Sequence, residues 1–98
     1  MTPRSGAGGP LFRDLVVANK RGLHARAAAR FVQCVERFEA TVTVSKDQTS
    51  VDGASIMGLM MLAAMPGSVI RVSAAGPEAE AALAAIVALV ESGFGEDD

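Results

Sequence analysis

Alternation of apolar and polar side chains predicts four strands in this chain. The segments are LFRDLVVA at 11–18, ATVTVS at 40–45, TSVD at 49–52 and SVIRVSA at 68–74. Each has the period of two that is typical of a half-buried strand. The second and third are separated only by a short turn, so we expect them to form a hairpin.

A helical period predicts three helices between or after these strands. The first begins beyond Leu23, the second is IMGLMMLA at 56–63, and the third opens at Gly76-Pro77-Glu78 and ends at Gly93. Proline at the first position and glycine past the end are typical of a helix. The first helix carries one apolar stripe, made of Ala27, Ala28, Phe31, Cys34, Val35 and Phe38.

The order of these elements indicates an α+β fold. Strand, helix, strand, strand, helix, strand and helix follow one another, without the repeated strand–helix–strand units of a parallel sheet. We therefore expect a four-stranded antiparallel sheet covered on one face by three helices. Residues 11–92 would form this domain, residues 1–10 a disordered tail rich in Gly and Pro, and residues 93–98 a solvated acidic tail.

Composition narrows the choice of partners and compartment. The chain has 98 residues, enough for one small domain, and a formal net charge of −2. It has no Trp or Tyr, and no basic surface is evident, which argues against nucleic acid as a partner. A single cysteine, Cys34, predicts a reducing compartment, and no signal peptide or membrane span is recognised, so we place the protein in the cytoplasm.

The only histidine, His24, lies where the first helix is predicted to begin. A helix N-terminus carries unpaired N–H groups and partial positive charge, which favour a neutral imidazole and attract an anion. Arg26 adds a planar guanidinium suited to phosphate oxygens. Gly22 leaves room for the donor group of another protein. This pattern predicts a site that holds a phosphoryl group on nitrogen, and the alternative is a histidine that only caps the helix.

Other chemistries lack the residues they need. No second histidine, cysteine cluster or carboxylate pair lies near His24 in the sequence, which argues against a zinc site or a two-carboxylate hydrolase. No glycine-rich loop ends in the Lys-Ser or Lys-Thr of a nucleotide site. We therefore expect no metal and no cofactor, and a protein that accepts and hands on a group without being an enzyme itself.

Three motifs resemble one known family. The segments GLHARAAARF, GASIMGLMMLA at 53–63 and the helix start GPEAE are similar to those of the HPr family, the histidine phosphocarriers of the bacterial phosphoenolpyruvate-dependent phosphotransferase system. The resemblance covers residues 11 to about 92. It implies an open-faced β-sandwich, a four-stranded antiparallel sheet with three helices, in agreement with the order of elements above.

The resemblance also implies roles for individual residues. His24 corresponds to the histidine that enzyme I phosphorylates on Nδ1, Arg26 to the arginine that contacts the phosphate, and Ser55 to the serine that a dedicated kinase modifies in some members. Ser55 is equally well explained as a helix N-cap. Ala27 stands where the family motif usually has proline, which restores a backbone N–H and frees φ at the helix start.

The second helix is apolar around more than one face. Some of its residues are expected to join the core, but a helix of this length cannot bury them all. We predict that part of it is exposed as a docking patch beside His24, which adaptable methionine side chains suit. The residues assigned to partner binding are Met57, Leu59, Met60 and Met61.

These features predict a phosphocarrier that takes a phosphoryl group from enzyme I on His24 and passes it to a IIA-type protein. A serine kinase acting on Ser55 is a further candidate partner. The motifs RGLHARAAARF and SIMGLMMLAA resemble members of the nitrogen-related regulatory branch more than those of the sugar-uptake branch, which stays the alternative. A competitor from another class is a small regulatory binding module in which His24 has only a capping role.

Overall fold

The computed structural model describes residues 11–96. The predicted tail at 1–10 and the last two acidic residues of the chain lie outside the described residues. The described elements are strand β1 (Leu11–Val16), helix α1 (Ala25–Val35), strands β2 (Thr41–Lys46) and β3 (Thr49–Asp52), helix α2 (Ile56–Met61), strand β4 (Val69–Ala75), helix α3 (Ala79–Glu91) and a 3₁₀ turn (Gly93–Gly95).

The four strands form one antiparallel sheet in the order β1-β4-β2-β3. Strand β4 is central, with Leu15 of β1 opposite Ile70 and Val44 of β2 opposite Val72. Strands β2 and β3 are the predicted hairpin, closed by a two-residue turn. The inward residues of this register are buried, as the alternating pattern predicted.

The helices cover one face of the sheet. Helix α1 buries Ala27, Ala28, Phe31, Val32, Cys34 and Val35, and α3 buries Ala79, Ala82, Leu83, Ile86 and Val90. The core between the two layers is continuous. This architecture confirms the predicted α+β open-faced sandwich. Within it Cys34 is a small core residue, and burial raises the pKa of its thiol.

The outer face of the sheet is open to solvent. Phe12 of β1 is half-exposed, and the guanidinium of Arg71 lies 4.2 Å from the centre of its ring. Arg71 also donates to both carboxylate oxygens of Asp14, at 2.8 and 3.1 Å. These contacts cover part of the apolar surface with charged groups, which suits an open sheet.

The ends of several elements differ from the sequence prediction, including that of α2, which ends at Met61, and two of the differences have identifiable reasons. Strand β1 stops at Val16 because the next residue, Val17, exchanges hydrogen bonds with Gly67 and Ser68, in the loop before β4. Helix α3 begins at Ala79, since Pro77 lies in a turn and Glu78 takes the N-cap position.

The C-terminal segment is not the solvated tail that the sequence predicted, at least over Gly93–Glu96. Gly93 and Phe94 both have positive φ, which turns the chain back toward the domain. Phe94 is fully buried in the core, and Glu96 makes hydrogen bonds with groups at the other end of the sequence. Burial of an apolar side chain is favourable, so Phe94 packs into the core although acidic residues lie close to it in the sequence. We call Gly93–Glu96 the C-terminal hook.

Candidate functional site

The loop before α1 is fixed by backbone hydrogen bonds to the segment after α2. The N–H of Leu23 donates to the carbonyl of Ala64 at 2.9 Å. Gly22 has φ +64°, and a Cβ at this position would lie 2.2 Å from the same carbonyl oxygen. The absent side chain therefore makes room for the backbone of this protein, not for the donor group of another one as the sequence suggested. The close contact between Gly22 and the carbonyl of Ala64 fixes the position of His24.

His24 occupies the N-cap position of α1. Its backbone is extended, with φ −75° and ψ 178°, and its carbonyl accepts from the N–H of Ala28 at 2.9 Å. Its imidazole makes no capping hydrogen bond, so the interpretation of His24 as a capping side chain is wrong. The side chain is partly accessible, with 21% of its surface exposed. It is therefore both anchored by its backbone and open to a reactant.

One ring nitrogen of His24 is held by the C-terminal hook. Nε2 lies 2.5 Å from Oε2 of Glu96, a short contact between a ring nitrogen and a carboxylate oxygen. Only 9% of the Glu96 side chain is exposed. Among the described residues no group is hydrogen-bonded to Nδ1, so only Nε2 is engaged there.

Asn19 holds the other oxygen of the same carboxylate. Its Nδ2 donates to Oε1 of Glu96 at 3.0 Å and to the carbonyl of Gly22 at 2.8 Å. Asn19 is buried, and since both partners are acceptors, the orientation of its amide is fixed by chemistry. The loop, the histidine and the hook thus form one hydrogen-bonded unit.

The charge of Glu96 is stabilised at this position. The hydrogen bond from His24 is the main cause that lowers the pKa of the Glu96 carboxyl, with smaller contributions from Asn19 and from the nearby cation Arg30, while desolvation acts in the opposite direction. Arg30 also donates from Nη1 to the carbonyl of Phe94, which ties helix α1 to the hook. Glu96 is therefore an ionised acceptor at neutral pH.

The start of α1 offers donors for an anion. Its first turn contains no acidic residue, and no described side chain accepts from its first N–H groups. Arg26 is exposed on this turn, two residues from His24, and makes no ion pair with any other described residue. Free amides and an unpaired guanidinium at a helix N-terminus are suited to phosphoryl oxygens.

Three of the four residues assigned to the docking patch are exposed. Met57 and Met61 are 71% and 75% exposed, and Met60 is 41% exposed. Leu59, assigned to the same patch, is fully buried, because it lies on the side of α2 that faces the core. We therefore correct the assignment and call Met57, Met60 and Met61 the α2 methionine surface.

The segment that follows α2 lies next to the histidine loop. The backbone of Met65, which follows α2 and is also exposed, passes within about van der Waals distance of Gly22, since a Cβ on that glycine would lie 3.1 Å from the Cα of Met65. Leu23 is bonded to Ala64 in the same stretch. The segment that follows the α2 methionine surface in the chain is therefore packed against the loop that carries His24.

Ser55 is the N-cap of α2. Its Oγ accepts from the N–H of Gly58 at 2.9 Å, and its backbone is extended, as expected for this position. The N-cap interpretation is thus confirmed for the unmodified side chain. Ser55 is only partly buried, so its hydroxyl is not sealed in the core.

Three residues of the site escaped the sequence analysis. They are Asn19, Arg30 and Glu96, the last of which was placed in the acidic tail. Their spacing in the sequence does not indicate that they lie together, because Glu96 contacts His24 although 72 residues separate the two. Only Phe94 offered a hint, since an aromatic residue between two glycines is out of place in a solvated tail.

Residues 11–96, the part of the chain that the structure describes, contain neither a membrane-spanning helix nor a metal-binding cluster. No helix there is long and apolar enough to cross a membrane. Likewise, residues 11–96 hold no group of three or more His, Cys, Asp or Glu side chains placed to bind a metal ion.

The chain is similar in sequence and fold to known phosphocarrier proteins. Residues 12–92 match the family described as PTS HPr component phosphorylation site. The phosphocarrier protein HPr of Xylella fastidiosa is 45% identical over 87 residues, which cover 89% of this chain and 98% of that protein. The phosphocarrier protein NPr of Escherichia coli is 42% identical over 82 residues, or 83% of this chain and 91% of that protein.

A solved structure agrees with these sequence matches. The crystal structure of HPr-C-His from Thermoanaerobacter tengcongensis superposes with a TM-score of 0.86 at 43% identity, covering 90% of this chain and 99% of that one. The sheet, the three helices and the matched residues define a phosphocarrier of the phosphotransferase system. This chain belongs to the HPr family.

Proposed function

We propose that His24 is the phosphoryl acceptor of this phosphocarrier and that Nδ1 is the atom that carries the phosphoryl group. The observation that carries the proposal is the state of the imidazole, which is partly exposed at the start of α1, takes no part in capping and has only Nε2 engaged. The amides of the first turn and the guanidinium of Arg26 supply donors for the phosphoryl oxygens.

Phosphorylation by enzyme I tests this assignment. The protein is incubated with phosphoenolpyruvate and enzyme I, and its intact mass is measured. We expect the gain of one phosphate that is lost in acid and survives alkali, as for a phosphoramidate, and no gain for His24→Ala. A wild-type protein of unchanged mass would instead favour the regulatory binding module.

A control separates this bond from a serine ester. Ser55→Ala retains the whole His24 site, so it is expected to gain the acid-labile phosphate as the wild type does. If His24→Ala still accepted phosphate from enzyme I, the acceptor would be another residue.

Arg26 is proposed to contact the phosphoryl group. It is exposed and makes no ion pair with any other described residue, so a substitution here leaves the fold intact. We expect Arg26→Ala to slow phosphorylation by roughly tenfold, the effect of one lost charge-assisted hydrogen bond. Arg13→Ala, at an exposed position of β1, is the matched control and is expected to have no effect.

The protein is proposed to act as a stoichiometric carrier and not as an enzyme. Phospho-enzyme I is the donor and a IIA-type protein is the acceptor, and the cytoplasm stays the predicted location. The α2 methionine surface would bind both partners in turn. Met57→Glu with Met61→Glu is expected to weaken both transfers, since two charges enter an apolar contact, while the far-UV spectrum stays unchanged.

The branch is proposed from motif resemblance alone. RGLHARAAARF and SIMGLMMLAA favour the nitrogen-related regulatory branch, and relatives named HPr and NPr both match this chain at similar identity. Transfer from the phosphorylated chain to a nitrogen-type and a sugar-type IIA protein separates the two. Faster transfer to the nitrogen-type protein is expected, and the reverse order would favour sugar uptake.

Ser55 is a candidate regulatory site as well as an N-cap. A phosphate there would sit at the start of α2 and place negative charge beside the α2 methionine surface. Incubation with a serine kinase of this system and ATP tests the proposal. An alkali-labile phosphate on the wild type but not on Ser55→Ala is expected, and an unmodified wild type would restrict Ser55 to capping.

A further inference from the structure

We propose that Glu96 is a positioning residue that fixes the tautomer of His24, holding the ring proton on Nε2 so that Nδ1 keeps its lone pair. The proposal deepens the proposed function and rests on it, because it explains why one particular nitrogen accepts the phosphoryl group. It is carried by the contact of 2.5 Å between Nε2 and Oε2 and by the burial of the carboxylate.

The direction of the hydrogen bond follows from the partner. A carboxylate can only accept, and the lowered pKa of Glu96 keeps this group ionised at neutral pH. Nε2 must therefore carry the proton, and in a neutral imidazole the other nitrogen then has the free electron pair. A carboxylate orients the histidine of a serine protease in the same way, but there it accepts from Nδ1 and leaves Nε2 unprotonated.

Asn19 makes the arrangement rigid. It is buried and binds Oε1 of Glu96, so the carboxylate cannot rotate away from the ring without losing a second hydrogen bond. Phe94 anchors the hook from the core side, and Arg30 donates to the carbonyl of that residue. The carboxylate is thus preorganised, and no reorganisation is needed when the reaction occurs.

The transfer step balances with this tautomer. The lone pair of Nδ1 forms a bond to phosphorus while the bond between phosphorus and the donor nitrogen of enzyme I breaks, and that electron pair stays with the donor. The proton on Nε2 does not move. The ring of His24 gains a positive charge, which the adjacent Glu96 carboxylate offsets. Transfer of the phosphoryl group to the acceptor protein reverses these changes. The ring of His24 is then neutral again, with the proton on Nε2.

The substitution Glu96→Gln gives an unusual prediction. The NH₂ group of Asn19 faces Oε1, so it requires the oxygen of the new amide at that position. The amide nitrogen must then occupy the position of Oε2 and donate to Nε2 of His24. This inverts the tautomer, and the proton moves to Nδ1. Glu96→Ala, by contrast, leaves the ring without a partner and removes only the preference for one tautomer.

Two measurements test the proposal. Nitrogen-15 NMR of the imidazole, recorded without enzyme I, is expected to show Nδ1 unprotonated in the wild type and protonated in Glu96→Gln. In quenched time courses with enzyme I, the rate of phosphorylation is expected to be highest for the wild type, lower for Glu96→Ala and lowest for Glu96→Gln. The glutamine variant is expected to be slower than the wild type by about tenfold. A purely structural role of Glu96 would make the alanine variant the slowest.

Two results would overturn the proposal: a wild-type ring protonated at Nδ1, or a glutamine variant as fast as the alanine variant. Circular dichroism confirms that each variant is folded. Failure of the proposed function is a separate outcome, because a wild-type protein that gains no phosphate on His24 would refute the acceptor role whatever the NMR tautomer is.

Discussion

At the scale of single residues, the site depends on one missing side chain and one carboxylate. Gly22 allows the loop to contact the carbonyl of Ala64, which places His24 at the start of α1. Glu96 then engages one ring nitrogen. Neither contact involves an apolar side chain, so hydrophobic patterning carried no information about them.

Gly22→Ala is expected to destabilise the protein by about 3 kcal/mol or more. The new Cβ would lie 2.2 Å from the carbonyl oxygen of Ala64, and the positive φ is strained for alanine. Urea unfolding measures the change. Gly67→Ala is the matched control, since Gly67 also has positive φ but has nothing within 4 Å of its Cβ position. It is expected to cost about 1 kcal/mol, and equal effects of the two variants would contradict the role of the close contact.

The ionised state of Glu96 predicts a dependence of stability on pH. Because the pKa of this carboxyl is lower in the folded protein, its contribution is fully present above the unfolded pKa and is lost as the pH falls through the folded one. The groups that face the carboxylate are His24, Asn19 and Arg30. The free energy of unfolding of the wild type relative to Glu96→Gln is expected to decline between about pH 5 and pH 3.

Urea titrations at several pH values check this expectation. Glutamine resembles the protonated acid and does not titrate, so it is the appropriate reference. A difference between the two proteins that stays constant down to pH 3 would show that the carboxylate contributes nothing to stability through its charge.

At the scale of elements, the sequence pattern was informative wherever one face of an element is buried. The strands and most of the stripe of α1 were predicted correctly, because alternation and the helical period follow directly from burial on one side. Phe38, assigned to the same stripe, lies beyond the helix end at Val35 and is only partly buried. Helix α2 was harder. It is apolar on several faces, so the pattern could not show that Leu59 points to the core and that its methionine neighbours point outward.

Helix α2 is short and depends on its cap. Ser55→Ala removes the acceptor for the N–H of Gly58, and the protein is expected to lose about 1 kcal/mol of stability. Ser55→Asp keeps an acceptor at the same position and is expected to stay within about 0.5 kcal/mol of the wild type. Thermal or urea unfolding of the two variants measures the difference. A Ser55→Ala protein as stable as the wild type would show that the cap has no energetic role.

At the scale of the whole molecule, the C-terminal hook joins the last residues of the domain to the loop before α1. Phe94 fills a position in the core, and Glu96 closes the site 72 residues away from its histidine partner. The hook therefore links the stability of the fold to the geometry of His24.

Phe94→Ala is expected to destabilise the protein by about 3 to 5 kcal/mol, since it empties a fully buried aromatic site. It also releases Glu96, so phosphorylation by enzyme I is expected to slow as in the Glu96 variants. Urea unfolding and the phosphorylation assay measure the two effects.

Phe12→Ala is the control for the size of the side chain. Phe12 is half-exposed on the open face of the sheet, and its loss is expected to cost about 1 kcal/mol or less. If truncating Phe94 were as mild, the hook would not be part of the core.

The sequence by itself determined the order of elements, the buried faces and the position of the one histidine at a helix start. These features follow from local periodicity and from residue chemistry, and the resemblance of GLHARAAARF to one family adds the expected reaction. The tertiary structure alone decided which groups surround that histidine. Asn19, His24 and Glu96 meet because the loop and the hook are brought together by packing of the core, and polar contacts between distant segments leave no periodic trace in a sequence.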